Sequence, residues 1–432
     1  MQRNRFLGDL LSTLFDRTGA ARGKADKRDI YTLCDALLSA EGEVSGLRLA
    51  STILERYASL ASDEKLAFFQ FLNDAFDIDA AALGQLAKDY GENATLERFA
   101  ALTDAAEPRR QELLRRLNQP LGATADLVAM RVDLLGFLKA HPELKRTNHD
   151  FVHLLRSWFN RGFLVLKQIN WDTPARILDK IVAYEAVHQI DDWDDLRRRL
   201  HPSDRKCFAF FHPSMPDEPL IFVEVALTEK IAGSVDAVLS DGRVPLDPED
   251  ARVAVFYSIS NCQKGLTGIS FGNLLIKQVV SELSLGCPQI EQFVTLSPLP
   301  GLNAWLRGLS QDADLSAAAV AVLDATAPPE DVRALTARYL LTAKRADGTP
   351  LDPVARFHLG NGAEAHAVHA GADTSPNGMA WSSGAMVNYL YDLAQIETNH
   401  ESFALRGKIA ASKLVQALAT TALATKPKEP TS

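Results

Sequence analysis

A cluster of glycines lies between an apolar run and an amphipathic run of the chain. Gly265, Gly268 and Gly272 fall in the segment NCQKGLTGISFGNLLIK, directly after the run ARVAVFYSIS. Glycine lets the backbone approach a phosphate closely, and the unpaired N–H groups at a helix N-terminus attract negative charge. The spacing differs from the Rossmann GxGxxG pattern, and it lacks the Gly-Lys-Ser/Thr ending of a P-loop. The segment therefore predicts either an anion site of another kind or a tight turn with close helix–sheet packing.

A serine and a histidine later in the chain are candidates for acid–base chemistry. Ser297 ends the run QFVTLS, and the prolines that follow it cannot donate N–H groups to a central sheet, so the strand must end there or reach a sheet edge. His358 lies in DPVARFHLGNGA, before an Asn-Gly turn. Histidine acts as acid or base near neutral pH and can polarise a serine hydroxyl. Taken alone, each residue is more often structural than catalytic.

Two further groups of polar residues share predicted helix faces. Asn388, Tyr391 and Gln395 recur at intervals of three and four in SSGAMVNYLYDLAQI, which predicts a helix with a polar face that is either solvated or lines a cleft. His149 and His153 are four residues apart, but no acidic residue or third ligand completes a zinc motif. We therefore expect no metal site.

The composition is that of an ordinary soluble globular protein. The 432 residues include 46 basic and 55 acidic side chains, for a net charge of -9, and no basic block stands out. This balance argues against a nucleic-acid or membrane-surface binder. Four cysteines without a CxxC pair indicate free thiols in a reducing compartment. The first residues lack the apolar core of a signal peptide, and no apolar run reaches membrane-spanning length, so a cytoplasmic location is expected.

The elements that must position these residues differ between the two parts of the chain. Residues 1–150 show helical periodicity throughout, as in ADLVAMRVDLLGFLKA, where Leu127, Met130, Leu134 and Leu138 form one apolar stripe. Short breaks such as SAEGEVSG suit a helical bundle. The apolar stripes predict a bundle core or a subunit contact, and nothing in this region indicates chemistry.

Residues 151–432 alternate strands and helices in the predicted order β-α-α-β-β-β-α-β. The first of these helices, in WDTPARILDKIVAYEA, is predicted to have Thr173 as its N-cap and Pro174 at its first position. The chain is predicted to be helical again from 301, with an irregular stretch at about 345–380. In this order the glycine segment joins the fourth strand to the third helix. GNAT-type acyltransferases seat the pyrophosphate of coenzyme A at that position, an analogy at the level of the fold alone.

Six separated stretches together resemble the malonyl-CoA decarboxylase family. They are NRGFLVLKQINWDTPARILDKIVAYEAVH, FFHPSMPDEPLIFVEVALT, FYSISNCQKGLTGISFGNLLIKQVV, LSPLPGL, DPVARFHLGNGA and SGAMVNYLYDL, in the family's order. The resemblance implies an α+β protein: an all-helical N-terminal bundle used for homo-oligomer contacts, then a GNAT-like acyl-CoA-binding catalytic domain. It also implies malonyl-CoA as substrate, acetyl-CoA as product, and neither a metal nor a bound organic cofactor.

The resemblance assigns roles to particular residues. It implies Ser297 and His358 as a catalytic dyad, with Tyr391 beside it. The malonyl-CoA loop falls on residues 267–273, and with the neighbouring candidates the predicted substrate-binding residues are Gly265, Thr267, Gly268, Ile269, Ser270, Phe271, Gly272, Asn273 and Asn388. One departure is that Ser270 stands where animal members carry a glutamate.

Three functions are compatible with these features. The first is decarboxylation of malonyl-CoA, in which donors stabilise the thioester enolate and the dyad delivers a proton. The second is acyl transfer from the same CoA site to an amine or hydroxyl acceptor, which needs a second pocket and its own base. The third is a non-catalytic acyl-CoA sensor whose output is the helical domain. Release of acetyl-CoA without an acceptor would separate the first from the other two.

Overall fold

The computed structural model describes residues 26–40, 42–269, 272–309, 313–421 and 423. The chain divides into two compact units, one ending at Leu155 and the other beginning at Arg156. Within the described ranges, no helix is both long and apolar enough to cross a membrane. The predicted succession of a helical region and a mixed α/β region is confirmed.

The first unit is built from α-helices. They are α1 (Ile30–Ser39), α2 (Glu43–Ser59), α3 (Ser62–Ala75), α4 (Ala80–Glu92), α5 (Leu96–Ala105), α6 (Arg109–Leu117), α7 (Ala123–Phe137) and α8 (Lys145–Trp158), the last of which ends beyond the unit boundary. Several begin at a side chain that accepts backbone N–H groups, as Asp79 does from Ala81 and Ala82. The stripe on α7 is partly as predicted, because Leu127, Met130 and Leu134 are buried.

A buried ion pair lies inside this helical unit. The Arg110 guanidinium on α6 donates to the Asp150 carboxylate on α8, and the amide of Gln111 donates to the other oxygen of Asp150 at 2.6 Å. Arg110 also contacts Asp77 at 3.0 Å. Removing one partner from such a site leaves a buried charge with less compensation.

We expect Asp150→Ala to destabilise the protein by about 3 kcal/mol, because the Arg110 charge stays buried with one carboxylate fewer. The control is Glu112→Ala, which removes an exposed partner of Arg115 and Arg116 and should cost less than about 1 kcal/mol. Thermal unfolding of the two variants beside the parent protein measures the difference. Equal melting temperatures for the two variants would contradict the expected larger cost of Asp150→Ala.

The second unit contains one eight-stranded mixed sheet in the order β1-β2-β3-β4-β5-β8-β6, with β7 also paired to β8. Its strands are β1 (Val165–Ile169), β2 (Arg205–Phe211), β3 (Ile221–Thr228), β4 (Val253–Asn261), β5 (Gln292–Thr295), β6 (Ser297–Pro298), β7 (Glu364–His369) and β8 (Met386–Leu390). Strands β4 and β5 are parallel, and the other pairs are antiparallel. This mixed sheet confirms the predicted α/β character of the second unit.

Helices cover the sheet and connect its strands. They are α9 (Ala175–Tyr184), α10 (Trp193–Leu200), α11 (Val235–Leu239), α12 (Gly272–Gly286), α13 (Leu302–Gly308), α14 (Ala313–Leu323), α15 (Pro329–Thr342), α16 (Pro353–Gly360), α17 (Pro376–Ser382), α18 (Ile396–Arg406) and α19 (Lys413–Thr420). Apolar residues of α9 and α10 form a core with β2 and β3, and those of α11 pack with β4 and β5.

Three local predictions in this unit are wrong. The segment predicted as a helix from about Met386 begins instead with strand β8, and the helix α18 starts only at Ile396. Thr173 is not an N-cap, because α9 begins after Pro174 and the Thr173 hydroxyl accepts from the N–H of Asn170 at 3.0 Å. The predicted irregular stretch also contains β7 and the helices α16 and α17. Apolar runs of four to eight residues fit a strand or a helix equally well by periodicity, and pairing between distant segments decides.

The parallel strands β4 and β5 separate next to the candidate site residues. The ladder runs from Val253–Gln292 to Phe256–Thr295, and β4 then continues to Asn261. After Thr295 the polypeptide leaves the pairing with β4 and continues as β6, which pairs with β8. The two strands therefore diverge just before Ser297.

Candidate active site

Ser297 lies on the two-residue strand β6, opposite Val387 of β8. Its hydroxyl is 2.9 Å from the hydroxyl of Thr295 and 3.1 Å from Nε2 of His358. The side chain is only 6% exposed. The prolines after Ser297 are consistent with the short strand, because a proline cannot donate to the sheet. The predicted serine and histidine are thus in hydrogen-bond contact.

His358 lies in the last turn of α16 and is buried. Its Nδ1 is 2.8 Å from the hydroxyl of Tyr391, which directly follows β8. The imidazole also stacks on the ring of Tyr389, with centroids 4.6 Å apart and an interplanar angle of 23°. Both ring nitrogens and one ring face are therefore held by neighbouring side chains.

Burial sets the protonation states of this chain of groups. It lowers the pKa of His358 to about 3, so the imidazole is neutral near pH 7. It also raises the pKa of the Tyr391 phenol well above its usual value, so that group keeps its proton. A neutral phenol can donate to Nδ1, which leaves the imidazole proton on Nε2, facing the Ser297 hydroxyl. In this arrangement the serine and histidine can supply a proton to a bound substrate.

The glycine segment forms a turn and a helix start, as its composition predicts. A 3-10 turn spans Lys264–Leu266, and both the N–H and the hydroxyl of Thr267 donate to the Lys264 carbonyl, at 3.1 Å and 2.7 Å. Gly268 has φ +81, a left-handed conformation that favours glycine. The N–H of Ile269 donates to the Leu266 carbonyl at 3.0 Å.

The remaining predicted loop residues are placed only in part. Gly265 and Ile269 are buried, whereas Ser270 and Phe271 lie outside the described residues. The backbone of Gly272 and Asn273 begins the helix α12. The segment thus joins β4 to α12 in the predicted way.

The side-chain amide of Asn388 is hydrogen-bonded within the fold. Its amide group donates to the carbonyl oxygens of Thr295 and Ala232 at 2.9 Å and 3.1 Å, and its oxygen lies 2.5 Å from Nε2 of His369. The predicted helix face of Asn388, Tyr391 and Gln395 does not exist, because Asn388 is on a strand and Gln395 is the exposed N-cap of α18. Of the three residues, Tyr391 alone contacts His358. Asn388 instead ties β8 to β5.

The sequence analysis missed residues that contact the dyad. Thr295 and Ser297 are two apart, and so are Tyr389 and Tyr391, which is the spacing of side chains on one face of a strand. That signal could have been found if residues 386–390 had been predicted as a strand. Asn361 gave no such signal, although it is buried beside the Tyr391 hydroxyl.

The lowered pKa of His358 predicts that the stability of the protein depends on pH. An unfolded histidine binds a proton below about pH 6.5, but the buried imidazole does not do so until about pH 3, so acid favours unfolding between these values. We expect the unfolding free energy of the parent protein to fall more steeply between pH 6.5 and 4 than that of His358→Asn, by up to about 1.4 kcal/mol per pH unit. Urea unfolding at several pH values measures this slope. The same pH dependence of the unfolding free energy in both proteins would contradict a buried, neutral His358 imidazole.

The metal-site expectation can be compared with the geometry of the described residues. Within the described ranges, no group of three or more His, Cys, Asp or Glu side chains is arranged to hold a metal ion. His149 and His153, which share the helix α8, are not part of such a group.

Comparison with known proteins identifies relatives along most of the chain. The family described as malonyl-CoA decarboxylase C-terminal domain matches residues 162–429, and the malonyl-CoA decarboxylase N-terminal domain matches residues 76–159. The mitochondrial malonyl-CoA decarboxylase of Anser anser anser is 37% identical over 348 residues, which is 71% of this chain and 69% of the relative.

Solved structures of bacterial relatives have the same fold. The crystal structure of malonyl-CoA decarboxylase from Rhodopseudomonas palustris is 50% identical, with a TM-score of 0.84 over 90% of this chain and 98% of that one. The corresponding structure from Agrobacterium vitis is 47% identical, with a TM-score of 0.86 over 91% of this chain and 100% of that one. Both domain models match in chain order and the relatives extend over both units, so this chain belongs to the malonyl-CoA decarboxylase family.

Proposed function

We propose that this protein converts malonyl-CoA to acetyl-CoA and CO2 through Ser297, His358 and Tyr391. The observation that carries the proposal is the buried hydrogen-bonded chain of these three side chains, at 3.1 Å and 2.8 Å, next to the point where β4 and β5 diverge. A thioester placed there would have a neutral proton source beside it. Membership of the family supplies the substrate class.

The reaction breaks a carbon–carbon bond and then adds one proton to the α-carbon. As the bond between the carboxylate carbon and the α-carbon breaks, its electron pair moves towards the thioester and forms an enolate, and CO2 leaves. Negative charge collects on the thioester oxygen, so donors aimed at that oxygen lower the barrier. The α-carbon is then protonated to give acetyl-CoA, and the cycle consumes one proton from solvent.

The dyad is the proposed source of that proton. Ser297 passes its hydroxyl proton to the α-carbon and takes the Nε2 proton of His358. Tyr391 is protonated in the resting site and hydrogen-bonded to Nδ1; it donates its proton to Nδ1 as the Nε2 proton leaves, so the negative charge rests briefly on the phenolate. After product release, one proton from solvent restores the starting state. No covalent acyl-enzyme forms, so the serine is a proton carrier and not a nucleophile.

The glycine segment is the proposed CoA site. The left-handed Gly268 and the start of α12 turn the backbone between the end of β4 and a helix N-terminus, which is favourable for a pyrophosphate. The backbone N–H of Gly268 is the proposed donor to the thioester oxygen, since the N–H of Ile269 already donates to the Leu266 carbonyl. Ser270, in place of the glutamate of animal members, leaves the site without a carboxylate at that position.

We further propose that catalysis needs neither a metal nor a bound organic cofactor. The dyad supplies the proton and backbone donors stabilise the enolate, so each chemical requirement is assigned to the chain itself. Full activity in the presence of a chelator is the expected result, and loss of activity that added metal restores would contradict this proposal.

Activity and substitution test the dyad together. With malonyl-CoA alone, EDTA present and no acceptor, the protein should form acetyl-CoA. Ser297→Ala and His358→Asn should each lower kcat about 100- to 1,000-fold with folding intact, because each removes an oriented donor. Ser284→Ala, which changes a partly buried serine on α12, is the matched control. Near-normal turnover in both dyad variants would overturn the assignment, and release of CoA only with an acceptor would favour the acyltransferase.

A homo-oligomer formed through the helical unit is also proposed. Helices α4 and α5 contact each other, but neither contributes a buried residue. On α5, Leu96 is 75% exposed and Phe99 is 51% exposed. A helix pair with an uncovered apolar face is typical of a subunit contact, and a second copy of the chain is the proposed partner.

We expect Leu96→Glu combined with Phe99→Glu to lower the molar mass measured by light scattering, because charges on the uncovered face oppose burial against another copy. Leu405→Glu changes a side chain that is 79% exposed in the other unit, and it should leave the mass unchanged. An unchanged mass in the double variant, or a monomeric parent protein, would contradict this interface.

We propose a cytoplasmic location because the cysteines are free thiols. Cys34, Cys207 and Cys262 are free and buried, and Cys287 is free and partly exposed, as expected in a reducing compartment. Detection of the protein in another compartment of its source cells would contradict this.

A further inference from the structure

The carboxylate of Asp352 is buried and accepts hydrogen bonds with both oxygens. Oδ1 accepts from the N–H groups of Val354 and Ala355, at 2.9 Å and 3.0 Å, and so caps the helix α16. Oδ2 accepts from the N–H of Gly301 and from the hydroxyl of Tyr339, both at 3.2 Å. Four donors compensate a single buried carboxylate, and two of them come from outside its own helix.

These donors connect Asp352 to both sides of the dyad. The helix it caps carries His358 in its last turn. Gly301 ends the Leu-Ser-Pro-Leu-Pro-Gly segment that contains Ser297. A side chain at Gly301 would overlap the Tyr339 hydroxyl, so the glycine permits the close approach. One carboxylate therefore joins the two segments whose side chains meet at the Ser297–His358 hydrogen bond.

The aspartates that cap α1 and α4 lack this second contact. Asp79 caps α4 through one oxygen, which accepts from the N–H groups of Ala81 and Ala82. Asp29 caps α1 through contacts to Thr32 alone. Capping requires one oxygen, so the bond from Asp352 to Gly301 serves something beyond helix stability.

We infer that Asp352 is a positioning residue for decarboxylation: it fixes α16 against the Ser297 segment and thereby sets the separation of Ser297 Oγ and His358 Nε2. It touches neither the dyad nor the substrate, and it acts through Gly301 on one side and the α16 N-terminus on the other. The inference rests on the proposed function, because the separation matters for turnover only if the dyad moves the proton.

Asp352→Asn tests this with the volume of the side chain unchanged. The amide has one acceptor, so it can either cap α16 or accept from Gly301, and it cannot do both. We expect kcat to fall about 10- to 100-fold, as a displaced catalytic group does, while KM stays within about threefold because CoA binding is untouched. Asp79→Asn makes the same change at a cap without the second contact and should leave kcat and KM unaltered.

Several results would overturn the inference. One is a kcat within about twofold of the parent value in folded Asp352→Asn. If that variant does not fold, Asp352→Ser takes its place, because serine also caps helices and is too short to reach Gly301. If the serine variant retains kcat, or also fails to fold, Asp352 is a stability residue and the inference is wrong.

Crystal structures separate this inference from the proposed function. The Oγ–Nε2 separation should exceed hydrogen-bond distance in the Asp352 variant and remain near 3.1 Å in the parent and in Asp79→Asn. An unchanged separation overturns the positioning role whatever the activity. A parent protein that fails to decarboxylate malonyl-CoA would refute the proposed function, and the measured separation would still decide whether Asp352 positions the pair.

Discussion

The hydrogen bond between Ser297 and His358 joins residues 61 positions apart, and it forms in a region closed to water. Such a contact exists only if the surrounding structure holds both backbones in place. On one side, β6 pairs with β8 and presents the serine at the sheet. On the other, α16 delivers the histidine in its last turn. Burial lowers the pKa of His358, so the imidazole beside the Ser297 hydroxyl is neutral near pH 7.

The divergence of β4 and β5 is the second feature on which the site depends. A continuous ladder would fill the space beside Ser297 with backbone hydrogen bonds. Here the ladder ends at Phe256–Thr295, and the glycine segment follows the free end of β4. The glycine segment therefore leaves the sheet at the end of β4, and Ser297 lies beyond the end of β5.

Sequence reasoning succeeded where local signals and long apolar runs agreed. Periodicity and glycines predict the strands from β1 to β5 and the helices α9, α10 and α12. They also predict the helical character of the described residues before 150. It failed at β7 and β8, whose short sequences carry no decisive period. Residues 386–390 are a strand because β5, β6 and β7 all pair with them. The error mattered, since it placed Asn388 on a cleft-lining helix.

The sequence by itself determined the composition class, the two-part organisation and the segment types around Gly268 and Ser297. The resemblance of six stretches then supplied the chemistry. Only the tertiary structure decided which side chains meet: Thr295 and Tyr389 at the dyad, Asn388 in the sheet, and Asp352 between the two catalytic segments. The physical reason is that propensity and spacing act over a few residues, whereas these contacts depend on sheet pairing and burial between segments far apart in the chain.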